Sequence, residues 1–569
     1  GLDKYTLQRR IRAELTAEGA PFEIGEITLQ SRTVKIYKNA PVTLLDVWDA
    51  SLRYRDRDYI VYEEERWSYK DAHRDVASVA RWMQRQGIGS GDRVAISMRN
   101  YPEWILAFWA TLRIGATVVA LNAWWTAAEM QNALRKCPVR LFVGDQRSLE
   151  QLSKIDPPLI ELPPVGVRMP SQSTEAVSDA DHMPWTALLG NADEAPPVEI
   201  DPEHVAAIFF TSGTTGSAKA VPFTHRTCIT SLMGIEFSNT LNREFRRQTL
   251  GEPPAPPLPA TLITTPLFHV SANNTGMQPM TSVGGKLVLM YRWDAGNALR
   301  LIEKERITRF TVVPLFAREL VTHPSFTTTD TWSVQTAGIG ATAIPAEYAS
   351  MLHRAFANAA PSTGYGMTES CGPITGIGGT FYLENPASSG PFLPHIDYKC
   401  VDENGASVSP GVAGELYLKG GSFISHYLGE ENSDDFTEDG WFRTGDIACI
   451  DRKGYLTIID RVKEIIIRGG ENISSAEVEA AILSYGNIRQ CAAFSVKDER
   501  LGEEVGVAIV PDANTNLSED GLREFLQTRI AAHKVPRYIW FSDDVLPTNA
   551  TGKLLKSLIR NQFSIKNAV

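Results

Sequence analysis

Residues 211–219, TSGTTGSAK, combine hydroxyl groups, glycines and a lysine directly after the apolar run VAAIFF. Glycines let a backbone approach a ligand closely, amide and hydroxyl groups donate to oxygen atoms, and Lys219 supplies positive charge. The pattern therefore suits a loop that holds phosphate groups, although its spacing is not the GxxxxGK[ST] of a Walker A loop. On composition alone, a solvated Ser/Thr/Gly loop is an equal alternative.

Two further clusters contain groups that a nucleotide site needs. Residues 364–370, GYGMTES, offer a ring that can stack on a base, a hydroxyl for a phosphate oxygen and a carboxylate for Mg²⁺. Residues 440–446, GWFRTGD, end in Asp446, which could accept hydrogen bonds from the hydroxyls of a ribose. Each cluster taken alone is more simply interpreted as a turn.

Two segments nearer the carboxyl terminus complete the set: residues 460–472, DRVKEIIIRGGEN, and residues 549–553, NATGK. An isolated TGK is usually a solvated turn, but here five motifs follow one another in order over roughly 340 residues. In this combination the chain resembles the acyl- and aryl-adenylating superfamily, which includes acyl-CoA synthetases, luciferases and peptide-synthetase adenylation domains. The resemblance extends from about residue 45 to about residue 560.

The resemblance implies an ATP and AMP site in which Tyr365 stacks on adenine, Thr368 contacts the α-phosphate, and Asp446 and Arg461 hold the ribose. The residues implied for nucleotide binding are Thr211, Ser212, Gly213, Thr214, Thr215, Gly216, Lys219, Gly340, Ala341, Thr342, Tyr365, Gly366, Met367, Thr368, Asp446, Ile458 and Arg461. One departure concerns Thr363, because many relatives carry Asn or Asp at this position, two residues before the stacking tyrosine.

The resemblance also implies the catalytic and accessory residues. Lys553, Thr368 and Glu369 would be catalytic, with Glu369 binding Mg²⁺, and an acyl pocket would include His269, Val270 and Gly340. Lys463 would be the hinge of a mobile carboxyl-terminal domain, and Gly470 would border the tunnel of coenzyme A.

These implied roles describe a two-step ligase. Lys553 would first help a carboxylate attack ATP, and it would then withdraw when the small domain turns and a thiol attacks the same carbonyl. The co-substrates implied are ATP with Mg²⁺, coenzyme A and a small carboxylic acid.

Composition and charge restrict the class of protein to which these motifs can belong. The chain has 569 residues, of which 43% are hydrophobic and 22% charged, so it is globular rather than disordered, collagenous or built on disulfides. A net charge of −11 disfavours a nucleic-acid partner. Six cysteines without a CxxC pair predict reduced thiols and a cytoplasmic location. The most apolar stretch, residues 104–121, is broken by Arg113 and Gly115, so no membrane-spanning helix is expected.

The order of elements predicts an α/β fold. Strand-like and helical runs alternate from about residue 90, as in parallel-rich sheets covered by helices, and residues 151–204 form a Pro-rich connector. Strand and helix patterns after residue 461 predict a small α+β domain, with a helix that starts at residues 474–477, SSAE. We therefore expect a large region of several subdomains at residues 1–461 and a mobile lid at residues 462–569, with the active site between them.

The acid and the acceptor stay open at this point. Apolar and small residues near 228–237, 268–274 and 311–316 favour a medium- or long-chain fatty acid, but an aryl or other bulky acid fits the same pattern. The acceptor could instead be a carrier-protein pantetheine or an amine, and a catalytically dead nucleotide-binding regulator is a further alternative. Homodimer formation and a peripheral membrane contact are also left open.

Overall fold

A computed structural model gives the fold of the chain. It describes residues 3–564 except for 30, 171–180, 191–195, 212–217, 252–256, 341–343, 345, 431–432 and 470. The elements are numbered below in chain order.

The first part of the chain contains two strand pairs and most of an α/β sheet. Its elements are α1 (Lys4–Thr16), β1 (Ile24–Leu29), β2 (Arg32–Tyr37), α2 (Leu44–Ser51), β3 (Asp58–Tyr62), β4 (Glu65–Ser68), α3 (Tyr69–Arg85), β5 (Arg93–Ser97), α4 (Pro102–Arg113), β6 (Thr117–Ala120), α5 (Ala127–Lys136), β7 (Leu141–Asp145), α6 (Gln146–Ser153), β8 (Val165–Val167) and β9 (Met183–Pro184).

The middle part supplies a second sheet and the long helix beside it. Its elements are β10 (Val205–Phe210), β11 (Ala220–Thr224), α7 (His225–Leu250), β12 (Ala260–Ile263), α8 (Gln278–Val283), β13 (Lys286–Leu289), α9 (Ala295–Lys304), β14 (Arg309–Val312), α10 (Pro314–Thr322), β15 (Thr336–Ile339), α11 (Glu347–Ala355), β16 (Ala360–Thr363), β17 (Gly366–Met367), β18 (Gly372–Pro373), β19 (Ile377–Gly378) and α12 (Gly379–Glu384).

The last part contains an antiparallel sheet and the carboxyl-terminal elements. These are β20 (Gly390–Pro391), β21 (Ile396–Val401), β22 (Gly414–Gly420), β23 (Phe442–Ile450), β24 (Tyr455–Arg461), β25 (Ile466–Arg468), β26 (Glu471–Ile473), α13 (Ser475–Leu483), β27 (Ile488–Asp498), β28 (Gly502–Pro511), α14 (Glu519–Gln527), β29 (Tyr538–Phe541) and α15 (Lys556–Ser564).

The first sheet has the strand order β11-β10-β6-β5-β7-β8-β9 and is parallel except where β10 pairs with β11. Strand β10 is apolar along its whole length and buried after its first residue, as expected for an interior strand covered on both faces. Its hairpin partner β11 begins at Ala220, so residues 211–219 connect the two strands at the carboxyl end of β10.

The second sheet has the order β19-β16-β15-β14-β12-β13-β3-β4, and its six strands from β16 to β3 are parallel. Ligands of open α/β sheets bind beyond the carboxyl ends of such strands. The carboxyl ends of β14, β15 and β16 lead to Val313, Gly340 and Gly364, and the YGMTE motif follows directly. The parallel register thus places the predicted acyl and adenine residues on one edge.

The third sheet is antiparallel and carries the ribose residues. Its order is β20-β24-β23-β22-β21, and Asp446 on β23 is directly opposite Arg461 on β24. Residues that are 15 positions apart in sequence are therefore cross-strand neighbours.

The carboxyl-terminal elements form a compact α+β unit. Strands β26-β25-β28-β27 form a sheet that β29 joins beside β28, and two apolar clusters hold it against α13, α14 and α15. Helix α13 begins as predicted, with the Ser474 hydroxyl accepting a hydrogen bond from the Glu477 amide at 3.2 Å. The predicted fold class is confirmed, whereas the boundary at 461/462 and the mobility of the lid stay predictions. In the described part of the chain, no helix combines the length and apolar character that crossing a bilayer requires.

Candidate active site

A single large cleft brings most of the predicted site residues together. It lies where the second sheet, the third sheet and the carboxyl-terminal unit meet, and its volume is about 2550 Å³. The predicted residues that line it are Thr211, Lys219, His269, Val270, Gly340, Tyr365, Gly366, Met367, Thr368, Glu369, Asp446, Ile458, Arg461, Lys463 and Lys553. The remaining predicted residues lie outside the described part of the chain: Ser212, Gly213, Thr214, Thr215, Gly216, Ala341, Thr342 and Gly470. Because one drug-sized ligand needs roughly 300–1,000 Å³, the cleft has room for several reactants.

The predicted adenine and ribose residues are in direct contact. The Tyr365 hydroxyl donates a hydrogen bond to Asp446, whose other carboxylate oxygen lies 3.3 Å from Nε of Arg461. Burial raises the pKa of Asp446, and the nearby Arg461 guanidinium opposes this rise. The carboxylate is thus oriented by two neighbours at the end of the cleft where a ribose would bind.

The turn that contains Thr368 and Glu369 is fixed by backbone constraints. A Cβ on Gly366 would lie 2.4 Å from the carbonyl oxygen of Gly372, so only glycine allows β17 and β18 to approach this closely. The Ser370 hydroxyl donates to the Gly372 carbonyl at 2.6 Å and closes the turn. Thr368 and Glu369 are therefore presented to the cleft on a rigid single turn.

Glu369 has the properties of a magnesium ligand. The Tyr427 hydroxyl donates to its Oε1 at 2.8 Å, and burial raises the pKa of the carboxyl group, so a bound cation would favour its charged form. Within the described ranges, no three His, Cys, Asp or Glu side chains cluster as a metal site. One carboxylate fits Mg²⁺ nevertheless, because this ion commonly binds proteins through one or two carboxylates and takes its other ligands from water and substrate phosphates.

Lys219 is ordered by two contacts at the edge of the cleft. Its ammonium lies 2.6 Å from Oδ2 of Asp435 and 4.5 Å from the ring centroid of Tyr427. Its backbone carbonyl accepts a hydrogen bond from the Thr211 amide at 3.0 Å, which closes the base of the loop between them.

Lys553 enters the cleft from the carboxyl-terminal unit. The Asn549 side chain accepts a hydrogen bond from the Lys553 amide at 2.9 Å, and Gly552 adopts a left-handed φ of 84° that makes the loop turn sharply. A Cβ on Gly552 would lie 3.2 Å from the Val313 side chain, so the loop lies against the large region. Burial lowers the pKa of Lys553, whereas Glu464 and Asp446 act to raise it.

Charged contacts also hold the carboxyl-terminal unit against the large region. Arg318 on α10 donates to the carbonyl oxygen of Ile488 and to Asp512, and Glu319 accepts a hydrogen bond from Arg489 at 2.9 Å. These contacts join the large region to the carboxyl-terminal unit, and a rotation of that unit would have to break them.

The part of the cleft predicted to bind the acid, its acyl end, is lined by both apolar and hydroxyl-bearing side chains. Ile235, Phe237 and Val270 line it, but so do the hydroxyl-bearing Ser238 and Thr311. The wall formed by the ends of β14, β15 and β16 and the segment before β19 includes four glycines: Gly338, Gly340, Gly364 and Gly376. At these four positions the wall has no side chain, so backbone alternates there with side chains such as Thr311.

His269 lies at the same end and is uncharged near neutral pH. Burial lowers its pKa to about 4. Its Nε2 is buried, and no residue in the described ranges bonds to it. The backbone after it forms a π-helical turn over Asn273–Met277, a feature that is frequent at functional sites. The Thr363 hydroxyl is likewise buried with no partner among described residues.

Comparison with known proteins identifies the family. Residues 47–428 match the family described as AMP-binding enzyme, and residues 477–553 match the family described as AMP-binding enzyme C-terminal domain. The first match alone covers more than half of the chain. The chain belongs to the AMP-binding enzyme family. This membership, together with the relatives below, confirms the expected class, an AMP-forming acid–thiol ligase, and its use of ATP, Mg²⁺ and coenzyme A.

Relatives of this AMP-binding enzyme span nearly the whole chain. Feruloyl-CoA synthase from Amycolatopsis sp is 29% identical over 498 residues, covering 87% of this chain and 94% of that protein. Indoleacetate–CoA ligase from Aromatoleum aromaticum is 29% identical over 526 residues, covering 92% and 96%. The solved anthranilate CoA ligase AuaEII, in complex with anthranoyl-AMP, matches with a TM-score of 0.81 at 22% identity, covering 93% of this chain and 99% of that one.

A fatty-acid relative is also similar. The Mycobacterium tuberculosis fatty acyl CoA synthetase matches this AMP-binding enzyme with a TM-score of 0.67 at 25% identity, covering 92% of this chain and 99% of that one. The relatives thus agree in enzyme class, but they differ in the acid that their names give.

Sequence reasoning missed several residues that hold the site together. Tyr427 orients Glu369, Asp435 pairs with Lys219, and Glu464 lies near Lys553. Only Glu464 belongs to a motif that the sequence analysis singled out, where it directly follows Lys463, the predicted hinge. Arg309, which also lines the cleft, carried no sequence signal beyond its position at the start of a strand.

Proposed function

We propose that this enzyme activates a bulky, ring-bearing carboxylic acid with ATP and transfers the acyl group to coenzyme A. The observation that carries the proposal is the glycine wall at the acyl end of the cleft, formed by Gly338, Gly340, Gly364 and Gly376. A planar ring can pack closely against backbone at glycine positions, because no side chain keeps it away. The aromatic acids named in several relatives support this choice over the fatty acid that the sequence favoured.

The polar part of the lining favours the same substrate class. An alkyl chain beside the hydroxyls of Ser238 and Thr311 would leave them without hydrogen-bond partners, which costs free energy. A ring that bears a polar substituent can satisfy such groups. The acyl end is thus better matched to a substituted ring than to an alkyl chain.

In the first step, a carboxylate oxygen of the acid attacks the α-phosphorus of ATP, and the bond from phosphorus to the pyrophosphate oxygen breaks. Asp446 and Arg461 would hold the ribose, while Thr368 would donate to the α-phosphate. Mg²⁺ at Glu369 would neutralise charge on the phosphate oxygens. Lys553 would place its ammonium between the two anions, which is the role that its buried position in the cleft supports.

In the second step, the thiolate sulfur of coenzyme A attacks the carbonyl carbon of the acyl-adenylate, and AMP leaves. Lys553 would obstruct this approach, so the lid would turn about Lys463 and bring Gly470 towards the thiol. The two steps therefore require two positions of residues 462–569, and the position of Lys553 in the cleft supports the adenylation position for this structure.

The test is a panel of acids assayed for pyrophosphate release and for AMP release that depends on coenzyme A. Cinnamic, 4-hydroxycinnamic, indoleacetic and benzoic acids are compared with octanoic and palmitic acids. We expect ring acids to exceed alkyl acids in kcat/KM by about 10-fold or more, the range that binding in a shaped pocket provides. Greater activity with octanoate or palmitate would show that the acid is a fatty acid. Adenylation that transfers only to a carrier protein or an amine would change the acceptor, and absence of pyrophosphate release with every acid would favour a regulator.

A glycine variant tests the wall itself. In Gly376→Val the new side chain would enter the cleft, because a Cβ there lies 3.7 Å from its nearest neighbour, the Ser238 hydroxyl. We expect KM for ring acids to rise about 10-fold or more, with little change for propionate. Gly89→Val is the matched control, since a Cβ at Gly89 has no described neighbour within 4 Å.

A further inference from the structure

Arg309 lines the cleft, and the two reaction steps proposed above give it no role. Arg309 is the first residue of β14, and Thr311 follows two positions later. Side chains two apart on a strand point to the same face, and a rise of about 3.3 Å per residue separates these two by roughly 7 Å along the strand. Arg309 therefore lies on the same wall as Thr311 but farther from the carboxyl ends where the nucleotide residues meet.

The register of the sheet shows where this arginine faces. Arg309 is level with Thr261 on β12 and with Thr336 on β15. Arg309 and Thr336 both line the cleft, as do Thr308 and Gln335 at the amino ends of the same strands. The cleft thus extends along β14 and β15. It runs from the carboxyl ends of these strands, where the nucleotide residues lie, to their amino ends, where Arg309 lies among polar residues.

Among the residues that the structure describes, the guanidinium of Arg309 has no counter-charge. Across the described ranges, no carboxylate forms an ion pair with Arg309, no acceptor takes a hydrogen bond from its side chain, and no aromatic ring lies beneath it. Burial lowers the pKa of Arg309, and no neighbouring charge contributes to this shift.

Other arginines show what a partnered guanidinium looks like in this protein. Arg66 bridges Asp58 and Glu305. Arg12, which also lines the cleft, lies 5.5 Å from the ring centroid of Phe237. Arg309 is half-buried in the wall of the cleft. A charge that is partly removed from water and has no partner destabilises a fold unless a ligand supplies the partner, and destabilised groups of this kind concentrate at functional sites.

We propose that the acid carries a second carboxylate at the end opposite the reacting one, and that Arg309 binds it. This inference rests on the proposed function and narrows its substrate class to ring-bearing dicarboxylic acids. The planar fork of a guanidinium matches a carboxylate through two parallel hydrogen bonds, which a lysine cannot form. The Thr311 hydroxyl lies on the same wall and would accompany the ring between the two ends, whereas the Thr336 hydroxyl is level with Arg309. The phosphates of ATP are a poor alternative, because Thr368, Asp446 and Arg461 place them at the opposite edge of the sheet.

The experiment compares acids that differ only in their distal group. Three pairs of increasing length are used: 4-methylbenzoic and terephthalic acids, 4-methylcinnamic and 4-carboxycinnamic acids, and 3-(4-methylphenyl)propionic and 3-(4-carboxyphenyl)propionic acids. In one of the three pairs, the distal group should reach Arg309 while the other carboxylate is at the reacting position. For that pair, we expect the dicarboxylate to have a kcat/KM at least about 30-fold above that of its methyl partner. Arg309→Leu should abolish this preference, mainly through KM, and Arg309→Lys should retain part of it.

Two further measurements separate recognition from a structural role. Arg246→Leu, which removes an exposed arginine at the mouth of the same cleft, should leave the preference unchanged. Without substrate, Arg309→Leu should unfold at a temperature no lower than that of the wild type, because it removes a half-buried charge that has no partner among the described residues. Preference for the methyl acids, an unchanged preference in Arg309→Leu, or a lower unfolding temperature of this variant would each overturn the proposal.

Binding is also measured directly, so that this inference and the proposed function can fail separately. Calorimetric titration of each dicarboxylate into the wild type and into Arg309→Leu does not require turnover. Binding that Arg309→Leu abolishes would support the arginine site even if no ring acid were adenylated. Adenylation of ring monocarboxylates without any binding of dicarboxylates would retain the proposed function and refute the second carboxylate.

Discussion

Replacement of Lys553 by methionine should separate the two steps of the reaction. Methionine keeps most of the length of the side chain and removes its charge. The loop that carries Lys553 is held by Asn549 and by the turn at Gly552, so the backbone should keep its course. What is lost is a half-buried ammonium in the cleft, on which the charges of Asp446 and Glu464 act.

The magnitude follows from the charges that must meet. Two unit charges about 4 Å apart interact by about 4 kcal/mol at an effective dielectric constant near 20. If the ammonium of Lys553 offsets one such repulsion during adenylation, its loss should slow that step by roughly 1,000-fold. The thioester step should change by less than about 3-fold, because the proposed lid rotation removes this side chain before the thiol attacks.

Two assays measure the steps independently. Exchange of labelled pyrophosphate into ATP reports adenylation, and conversion of supplied acyl-adenylate with coenzyme A reports thioester formation. Lys534→Met is the matched control, since Lys534 belongs to the same unit but pairs with Glu477 at 2.7 Å on its surface. Wild-type pyrophosphate exchange in Lys553→Met, or an equal loss in both assays, would refute the assigned role.

Three further predictions concern other parts of the site. In Tyr427→Phe the pKa of Glu369 should rise further, because the lost hydrogen bond lowers it, so the acidic limb of the pH–rate profile should move to higher pH. Arg318→Ala removes the contacts to Asp512 and to the lid backbone, and it should slow pyrophosphate exchange about 5-fold while sparing the thioester step. His269 should be protonated in the unfolded chain below pH 6.5 but not in the folded protein until about pH 4, so stability should fall as the pH drops through this window. His269→Phe should reduce that loss by about 2 kcal/mol between pH 7.5 and pH 5, as measured by urea unfolding.

Local sequence patterns were sufficient for the starts of several helices, and the roles of the nucleotide residues stay predictions. Helix α4 begins at Pro102, and α13 begins after the Ser474 cap, because these signals act within one turn of the chain. The order of the five motifs carried the resemblance to adenylating enzymes, and the parallel strand ends brought several of them to one edge. Asp446 and Arg461 were both predicted, although the sequence did not show that they are neighbours across two strands.

Contacts between distant segments could not be predicted in the same way. Tyr427 is 58 positions from Glu369, and Asp435 is 216 positions from Lys219. Neither residue belongs to a quoted motif, and a single sequence gives no distance between such positions. The acid could not be predicted for a related reason, since the apolar residues near 228–237 are divided between the core and the cleft. Cys228, Ile229 and Leu232 are buried in the core, whereas Ile235 and Ser238 line the cleft.

Four ionisable side chains of the cleft have pKa values that are shifted against their charged forms. Burial raises the pKa values of Glu369 and Asp446 and lowers those of Lys553 and Arg309, so every one of these ions is less stable in the cleft than in water. Each has a partner of opposite charge among the proposed reactants or ions, except Asp446, which would accept from ribose hydroxyls. The free energy that the fold loses by holding these groups is recovered only when the reactants bind in the arrangement that satisfies all of them. A reactant that lacks one of the matching groups leaves a buried charge unpaired, and this penalty is the physical basis on which the cleft can select both its nucleotide and its acid.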